Sequence, residues 1–330
     1  MPYTTKKITL GPNDTDRRLD RILRAFLSEV PLSGIYRMFR DGNVRVSGKK
    51  VDGSYRTKAG DSVEIRLPAL DRAHAENFRN QGTSNKTDRD AARIFSGMII
   101  VETANLALIN KPRGMLTHGQ GGVDEAAAAY YRERAASSLA FVPAPLHRLD
   151  RNTSGALAVS ASLAGAVAFS AALREGHISK TYLALLDGEL CDEETWVDEL
   201  SRDSEAGITT IEKVGKHAEA YVRPLLYRGG YTLAAIQLGT GRTHQIRAQA
   251  ASRGYALAGD TKYGGSSSRG GYLLHCASLG LPPGTSGPDQ LVVVAALPAK
   301  ASIILAELFG NGFSQCLPPE LAATAIDDRR

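Results

Sequence analysis

Apolar and polar positions in this 330-residue chain fall into two patterned regions separated by a stretch with few aliphatic residues. In the first region, Leu19, Ile22, Leu23 and Phe26 recur at the spacing of an amphipathic helix. Ser33 is placed to cap a second helix carrying Ile35, Met38 and Phe39, and Asp41-Gly42 ends it. Val44 and Val46, with Ser47-Gly48-Lys49-Lys50-Val51 after them, predict a short hairpin. Val63, Ile65 and Leu67 alternate with outward-facing Glu64 and Arg66 in a last strand. The intervening stretch, 69–93, buries too little to fold and reads as a flexible tether. Beyond it, 98–101 and 106–109 predict a hairpin, and the Ala-rich 124–138 a helix. Strands are predicted at 156–160 and 179–188, around Tyr221 and Leu225, and at 233–238 and 292–296. Helices are predicted at 160–174, from the Gly-rich 239–241 approach through Ala251, and at 303–309. Residues 191–217, acidic and then mixed, carry no recognisable chemistry.

Charge divides the chain at the same place. The net charge is +5, yet residues 1–68 hold 14 Lys+Arg against 8 Asp+Glu, so the whole excess lies there. A basic module joined to a near-neutral body suggests a grip for a polyanion attached to a machine. No apolar run reaches the length of a membrane span, and the first residues lack the apolar core of a secretory signal. Cys191, Cys276 and Cys316 are isolated, which argues against disulfides and a zinc site and for a reducing cytoplasm. There is no dinucleotide fingerprint, P-loop or metal-ligand spacing, so neither a metal nor another cofactor is expected.

The candidate chemistry centres on His147-Arg-Leu-Asp-Arg-Asn-Thr-Ser-Gly155, a turn cluster running into a strand with Asp150 between two arginines. Three further stretches follow in order: Lys180-Thr-Tyr182 opening a strand, Gly239-Thr-Gly-Arg-Thr-His-Gln-Ile-Arg247, and Ala258-Gly-Asp-Thr-Lys-Tyr-Gly264 with Leu273-Leu-His-Cys-Ala277. Asn110-Lys-Pro-Arg-Gly114 precedes them. Together these resemble the RluA/RluC/RluD-type pseudouridine synthases, which isomerise uridines in ribosomal or transfer RNA. Arg17-Arg-Leu-Asp-Arg21, 40–48 and 58–61 resemble an S4-type RNA-binding domain.

The resemblance implies an α+β chain. A mixed, largely antiparallel sheet with flanking helices and a central cleft would occupy 94–330, joined by the 69–93 tether to a small S4-like domain at 1–68. It implies Asp150 as the catalytic residue, Tyr182 stacking on the target base and Arg242 as the partner of the catalytic carboxylate. RNA would be held by Arg148 at the site and by Arg17, Arg21, Arg37, Arg40, Lys49 and Lys50 on the N-terminal domain. Leu273 or Leu274 would line the base pocket, Lys111 reads as a solvated strand-end lysine, and Asp260 as a turn or structural residue. The expected partner is ribosomal RNA, with transfer RNA as the second choice, for a monomer acting in the cytoplasm. The chemistry breaks N1–C1′ and rejoins the base through C5 with no redox change. One carboxylate suffices, attacking C1′ or removing the C2′ proton, but burial alone would neutralise it, so a fixed cation must oppose that.

Two other classes fit less well. A non-catalytic ribosome assembly factor needs the basic module but not the four motifs. A glycoside hydrolase wants two positioned acids, and the candidate second acid, Asp260, lies in a turn.

Overall fold

A computed structural model describes residues 3–28, 30–68, 86–132, 138–267 and 270–322. They group into two compact units, one of 1–96, 125–144 and 161–164, the other of 97–124, 145–160 and 165–330.

In the first unit, α1 (Leu19–Phe26) and α2 (Leu32–Arg40) bury Leu19, Ile22, Leu23, Ile35, Met38 and Phe39, the positions that the helical spacing selects. Pro31, not Ser33, stands at the N-cap of α2: its extended backbone (ψ 148°) launches the helix at Leu32, and Ser33 falls inside the first turn. The helices share a core with a sheet ordered β1-β4-β2-β3, formed by β1 (Tyr3–Thr9), β2 (Val44–Val46), β3 (Lys49–Lys50) and β4 (Ser62–Pro68). Strand β1 was not legible in the sequence. It is an edge strand carrying Lys6 and Lys7, with Ile8 as its one strongly apolar residue packed on the core, and it pairs with β4 along its length.

The expected tether divides. Residues 69–85 lie outside the described residues, but 86–93 belong to α3 (Lys86–Met98), a helix. The reason is local: Phe95 is fully buried against Tyr130 and Tyr131, with ring centroids 5.1 and 6.0 Å apart, and that contact anchors an otherwise polar segment. Tyr130 and Tyr131 belong to α4 (Val123–Arg132), whose residues from Glu125 onward group with the N-terminal unit, as do the described residues 138–144.

The second unit is built on the expected mixed, largely antiparallel sheet. Its path is β10 (Ile208–Glu212), β9 (Glu194–Asp203), β11 (Lys216–Arg228), β12 (Tyr231–Leu238), β8 (Ser179–Asp187), β13 (Leu274–Leu281), β7 (Ser154–Ser160), β6 (Leu106–Lys111) and β5 (Ile99–Glu102), with β14 (Leu291–Val294) paired to β13. Along this path β13 (Leu274–Leu281) and β7 (Ser154–Ser160) run parallel, and the other pairs antiparallel. Both strands are buried at every position, as the centre of a covered sheet requires. Gly155 makes this pairing possible. A Cβ there would lie 2.2 Å from the carbonyl oxygen of Cys276, and its φ of +112° disfavours any other residue. The strands β5 (Ile99–Glu102) and β6 (Leu106–Lys111) form the predicted hairpin.

The acidic and mixed stretch 191–217, left without an assigned element by its sequence, is mostly sheet. β9 (Glu194–Asp203), β10 (Ile208–Glu212) and β11 (Lys216–Arg228) fill it, with Trp196, Leu200, Ala218, Ala220 and Val222 buried. Its alternation was masked because several inward positions are small and the outward ones charged. The strands β8 (Ser179–Asp187) and β12 (Tyr231–Leu238), and the helices α5 (Leu163–Arg174), α6 (Gln245–Ser252) and α7 (Ala299–Phe309), match the predicted positions closely. Among the described residues, no helix is long and apolar enough to cross a membrane.

Candidate active site

Asp150 sits on the loop before β7, and three anchors fix that loop. Thr117 Oγ1 donates to the Leu149 carbonyl (2.8 Å) and accepts the Leu149 N–H (3.2 Å). Gly114 N–H donates to the Arg151 carbonyl at 2.7 Å, and Arg151 Nε returns a bond to the Gly114 carbonyl at 3.1 Å. Lys111, expected in solvent, is fully buried at the end of β6, and its ammonium donates to the carbonyls of Pro112 (3.0 Å), Met115 (2.8 Å) and Arg151 (3.3 Å). Burial brings its pKa down to about 8, with the Asp150 charge pulling the other way. The correction has a physical cause: a carbonyl cage assembled from residues up to 40 positions apart satisfies a lysine that sequence spacing presents as free. Lys111→Met should orphan the Pro112 and Met115 carbonyls, each costing about 1–3 kcal/mol when buried, while the Arg151 carbonyl keeps the Gly114 N–H. A lowered Tm together with a lowered rate constant is the expected result, and a variant with both unchanged would remove Lys111 from this account.

The Asp150 side chain, 15% exposed, faces a cavity of about 500 Å³. That is the size range of small-ligand pockets, about 300–1,000 Å³. Tyr182, Leu274, Lys180 and the Gly239–Arg242 stretch line it too. The structure thus brings Asp150 and Tyr182 to one cavity. Of the two candidate leucines, Leu274 faces the cavity, whereas Leu273 packs on the core beside Leu297 and Leu305. Tyr182 is buried, and its hydroxyl meets the Cys276 thiol. Burial first and Cys276 second raise the tyrosine's pKa, and burial pushes the thiol up to about 12.

The cation facing Asp150 is Arg247, not Arg242. Arg247 Nη1 lies 3.6 Å from Asp150 Oδ2, and His244 Nε2 lies 3.7 Å from the same oxygen. Arg242 is exposed at the cavity wall, and its Nε donates to the His217 carbonyl at 2.9 Å. Helix phase explains the difference. Arg242 precedes α6, where Gln245 Oε1 takes its backbone N–H (3.0 Å) and the Thr240 hydroxyl (2.8 Å), while Arg247 is the third residue of a helix whose face is buried.

Asp260 holds Arg247 in place. Arg247 Nε and Nη2 donate to the two Asp260 oxygens at 2.6 and 2.8 Å, both side chains being buried. Tyr263 and Tyr272 each lie with the ring centroid 4.7 Å from the guanidinium carbon. Burial works against the Arg247 charge, but the Asp260 hydrogen bonds outweigh it and its pKa rises. The acidic strand β9 supports the same helix from its other end, where Asp198 accepts from Gln249 Nε2 (2.7 Å) and Arg253 Nη1 (2.9 Å).

Two histidines flank the site, His275 fully buried and His147 half-buried at the cavity wall. His147 Nε2 accepts the Ala158 N–H at 3.0 Å and its ring stacks on Phe169. His275 meets the Ser154 hydroxyl through Nδ1 (2.9 Å) and the Ala295 carbonyl through Nε2 (3.0 Å). Burial lowers their pKa values to about 3 and about 4. Both folded values lie below the ordinary histidine value, so the unfolded chain takes up protons first as pH falls. The stability they contribute is complete above about pH 6.5 and is lost as pH falls toward 4 for His275 and toward 3 for His147, a loss of about 2 kcal/mol each by pH 5. Melting curves from pH 7 to 5 should show a falling Tm, and His275→Asn should flatten that slope. An equal slope in the variant would contradict the reading.

The remaining candidates are dispersed. Arg148 is exposed at the same cavity, whereas Arg21, Arg37, Arg40, Lys49 and Lys50 are exposed, and Arg17 half-buried, on the N-terminal unit. Lys50 Nζ donates to the Arg40 carbonyl at 2.7 Å, so these two positions act as one patch. Among the described residues, no group of three or more His, Cys, Asp or Glu side chains is disposed to hold a metal ion.

The RNA pseudouridylate synthase family matches residues 105–252, a span that carries Asp150, Tyr182 and Arg247. Ribosomal large subunit pseudouridine synthase C of Buchnera aphidicola is 31% identical over 261 residues, covering 76% of this chain and 77% of its own. The protein of the same name from Vibrio vulnificus is 33% identical over 253 residues, covering 75% and 76%. Among solved structures, human RNA pseudouridylate synthase domain containing 4 superposes with a TM-score of 0.56 at 21% identity, over 67% of this chain and 97% of that one. Human RNA pseudouridylate synthase domain containing 1 gives 0.50 at 26% identity, over 61% and 83%. With a carboxylate, a cation and a tyrosine around one cavity and relatives matching along three quarters of its length, the chain belongs to the RluA/RluC-type RNA pseudouridine synthase family and is an RNA-modifying isomerase.

Proposed function

We propose that this enzyme converts specific uridines of large-subunit ribosomal RNA to pseudouridine, with Asp150 as the reacting carboxylate. The observation that carries the catalytic part is the Asp150 carboxylate at the cavity wall, 3.6 Å from a guanidinium that Asp260 holds in place. A negative oxygen kept beside a fixed cation serves either attack on C1′ or removal of the C2′ proton. Tyr182 supplies an aromatic face for an extruded uracil, offsetting part of the few kcal/mol that unstacking costs. Leu274 closes the apolar side of the same cavity. The names of the relatives support ribosomal RNA as the substrate.

The N-terminal unit is the RNA grip in this reading, an S4-like module. Its support is the charge excess of residues 1–68 and the exposure of Arg21, Arg37, Arg40, Lys49 and Lys50. Arginines on short rigid helices engage phosphates with salt-dependent affinity and little sequence preference. The test is to map pseudouridines in ribosomal and transfer RNA from a deletion strain, complemented with the wild type or with Asp150→Asn. Loss of one or a few large-subunit sites, restored by the wild type alone, is expected. Unchanged ribosomal sites with a missing transfer-RNA site would reassign the substrate, and an unchanged map would support a non-catalytic assembly factor.

A further inference from the structure

Lys180 stands two residues before Tyr182 on β8, so strand alternation puts both side chains on one face, and both line the cavity that Asp150 lines. The residue is only 8% exposed. Its Nζ lies 3.6 Å from where a Cβ on Gly241 would stand, next to the Gly-rich approach to α6. Among the described residues, its electrostatic neighbours are the Cys276 thiol and the neutral His147 ring, and no carboxylate pairs with it. The other two buried cations near the site are satisfied, Lys111 by three carbonyls and Arg247 by Asp260 and Asp150. A buried ammonium without a partner is costly, and one that faces a cavity is matched when an anion arrives there.

The reaction makes such an anion. When N1–C1′ breaks, the electron pair leaves with the base, and uracil carries a negative charge spread over N1, O2 and O4. The base then turns, C5 gives a pair to C1′ to form the new bond, the C5 proton departs and N1 takes up a proton. Atoms and charge balance, and the anion must stay bound between the two events. We propose that Lys180 is the counter-cation of this detached uracil, contacting O2 or O4 while Tyr182 holds the ring face. The inference rests on catalysis at Asp150. RNA phosphate is the other anion at hand, but the exposed Arg148, Arg174 and Arg242 line the same cavity and suit it better than a side chain nine-tenths buried beside Tyr182 and Leu274.

The test uses the full chain and a large-subunit ribosomal RNA transcript under single-turnover conditions. Lys180→Met should slow the reaction by about 10²–10³-fold, the scale of losing one charge-stabilising group, while RNA affinity stays at the wild-type value. Lys180→Arg should recover part of the rate. In a transcript with 5-fluorouridine at the target, fluorine makes the departing base a weaker base that needs less stabilisation. The ratio of wild-type to Lys180→Met cleavage of N1–C1′ should therefore shrink severalfold. An unchanged ratio overturns the proposal. A loss confined to affinity, with a shallower salt dependence, overturns it in favour of a phosphate contact. A fallen Tm that accounts for the lost rate, with no recovery in Lys180→Arg, overturns it in favour of a structural role. A wild type inactive on the transcript fails the proposed function itself, whereas an active wild type matched by Lys180→Met fails this inference alone.

Discussion

Asp150→Asn should abolish turnover and leave RNA binding intact. The asparagine amide keeps the shape of the carboxylate, so the anchors at Thr117, Gly114 and Lys111, which hold the backbone of its loop, are untouched. It does not keep the chemistry: an amide oxygen is neither a nucleophile toward C1′ nor a base for the C2′ proton. Removing a reacting group of this kind lowers rates by more than about 10⁴-fold even when binding survives. Release of tritium from RNA labelled at uridine C5 measures turnover, because that hydrogen is lost when C5 joins C1′. Filter binding measures affinity separately. A variant that releases tritium at the wild-type rate would remove Asp150 from the mechanism, whichever route is taken. A variant that loses affinity in proportion to rate would make Asp150 a binding residue.

Much of this site was visible in the chain itself, and what was hidden has physical reasons. Asp150 and Tyr182 stand out because each lies where a loop meets a strand in a motif of distinctive order. The arginine was misplaced because Gly239–Arg247 contains two, and only the helix start decides which one turns inward. A signal was present, though: in Gln-Ile-Arg-Ala-Gln-Ala-Ala-Ser the arginine sits among small residues on a short helix, which suits a buried side chain in need of an acid. Asp260, 13 residues on, is that acid. Lys111 and Lys180 were opaque for a different reason. Whether a lysine is caged, bare or solvated depends on carbonyls and carboxylates brought from elsewhere in the chain, and local pattern carries none of that. The same holds for α3, where Phe95 recruits a polar segment through tyrosines more than thirty positions away.

Arg247→Met should be the most disruptive single change for folding and activity together. The Arg247 guanidinium is engaged on several sides, with Nε and Nη2 on Asp260, Nη1 facing Asp150 at 3.6 Å and the Tyr263 and Tyr272 rings close to it. Methionine fills the same space between the tyrosines but leaves the Asp260 carboxylate, only 2% exposed, without its partner. Breaking a buried pair by removing one member costs about 3–5 kcal/mol, equivalent to a Tm lower by roughly 4–7 °C in a chain of this size. That loss would obscure any effect on chemistry, so the informative comparison is the double variant Arg247→Met, Asp260→Leu. It removes both charges, and replacing a whole buried pair with apolar groups is often neutral or stabilising. Its Tm should therefore return most of the way to the wild-type value. Its rate should not, because Asp150 still lacks the cation that stands 3.6 Å from its carboxylate. Arg247→Lys should fall between, since a single ammonium reaches Asp260 or Asp150 but does not reproduce the planar fork that spans both. Circular dichroism melts and single-turnover rates on the three variants check this. A double variant with wild-type Tm and wild-type rate would show that the ion pair serves the fold alone, and the cation opposing Asp150 would have to be sought in the RNA-bound enzyme, with His244 and Arg242 as the residues already nearest the site.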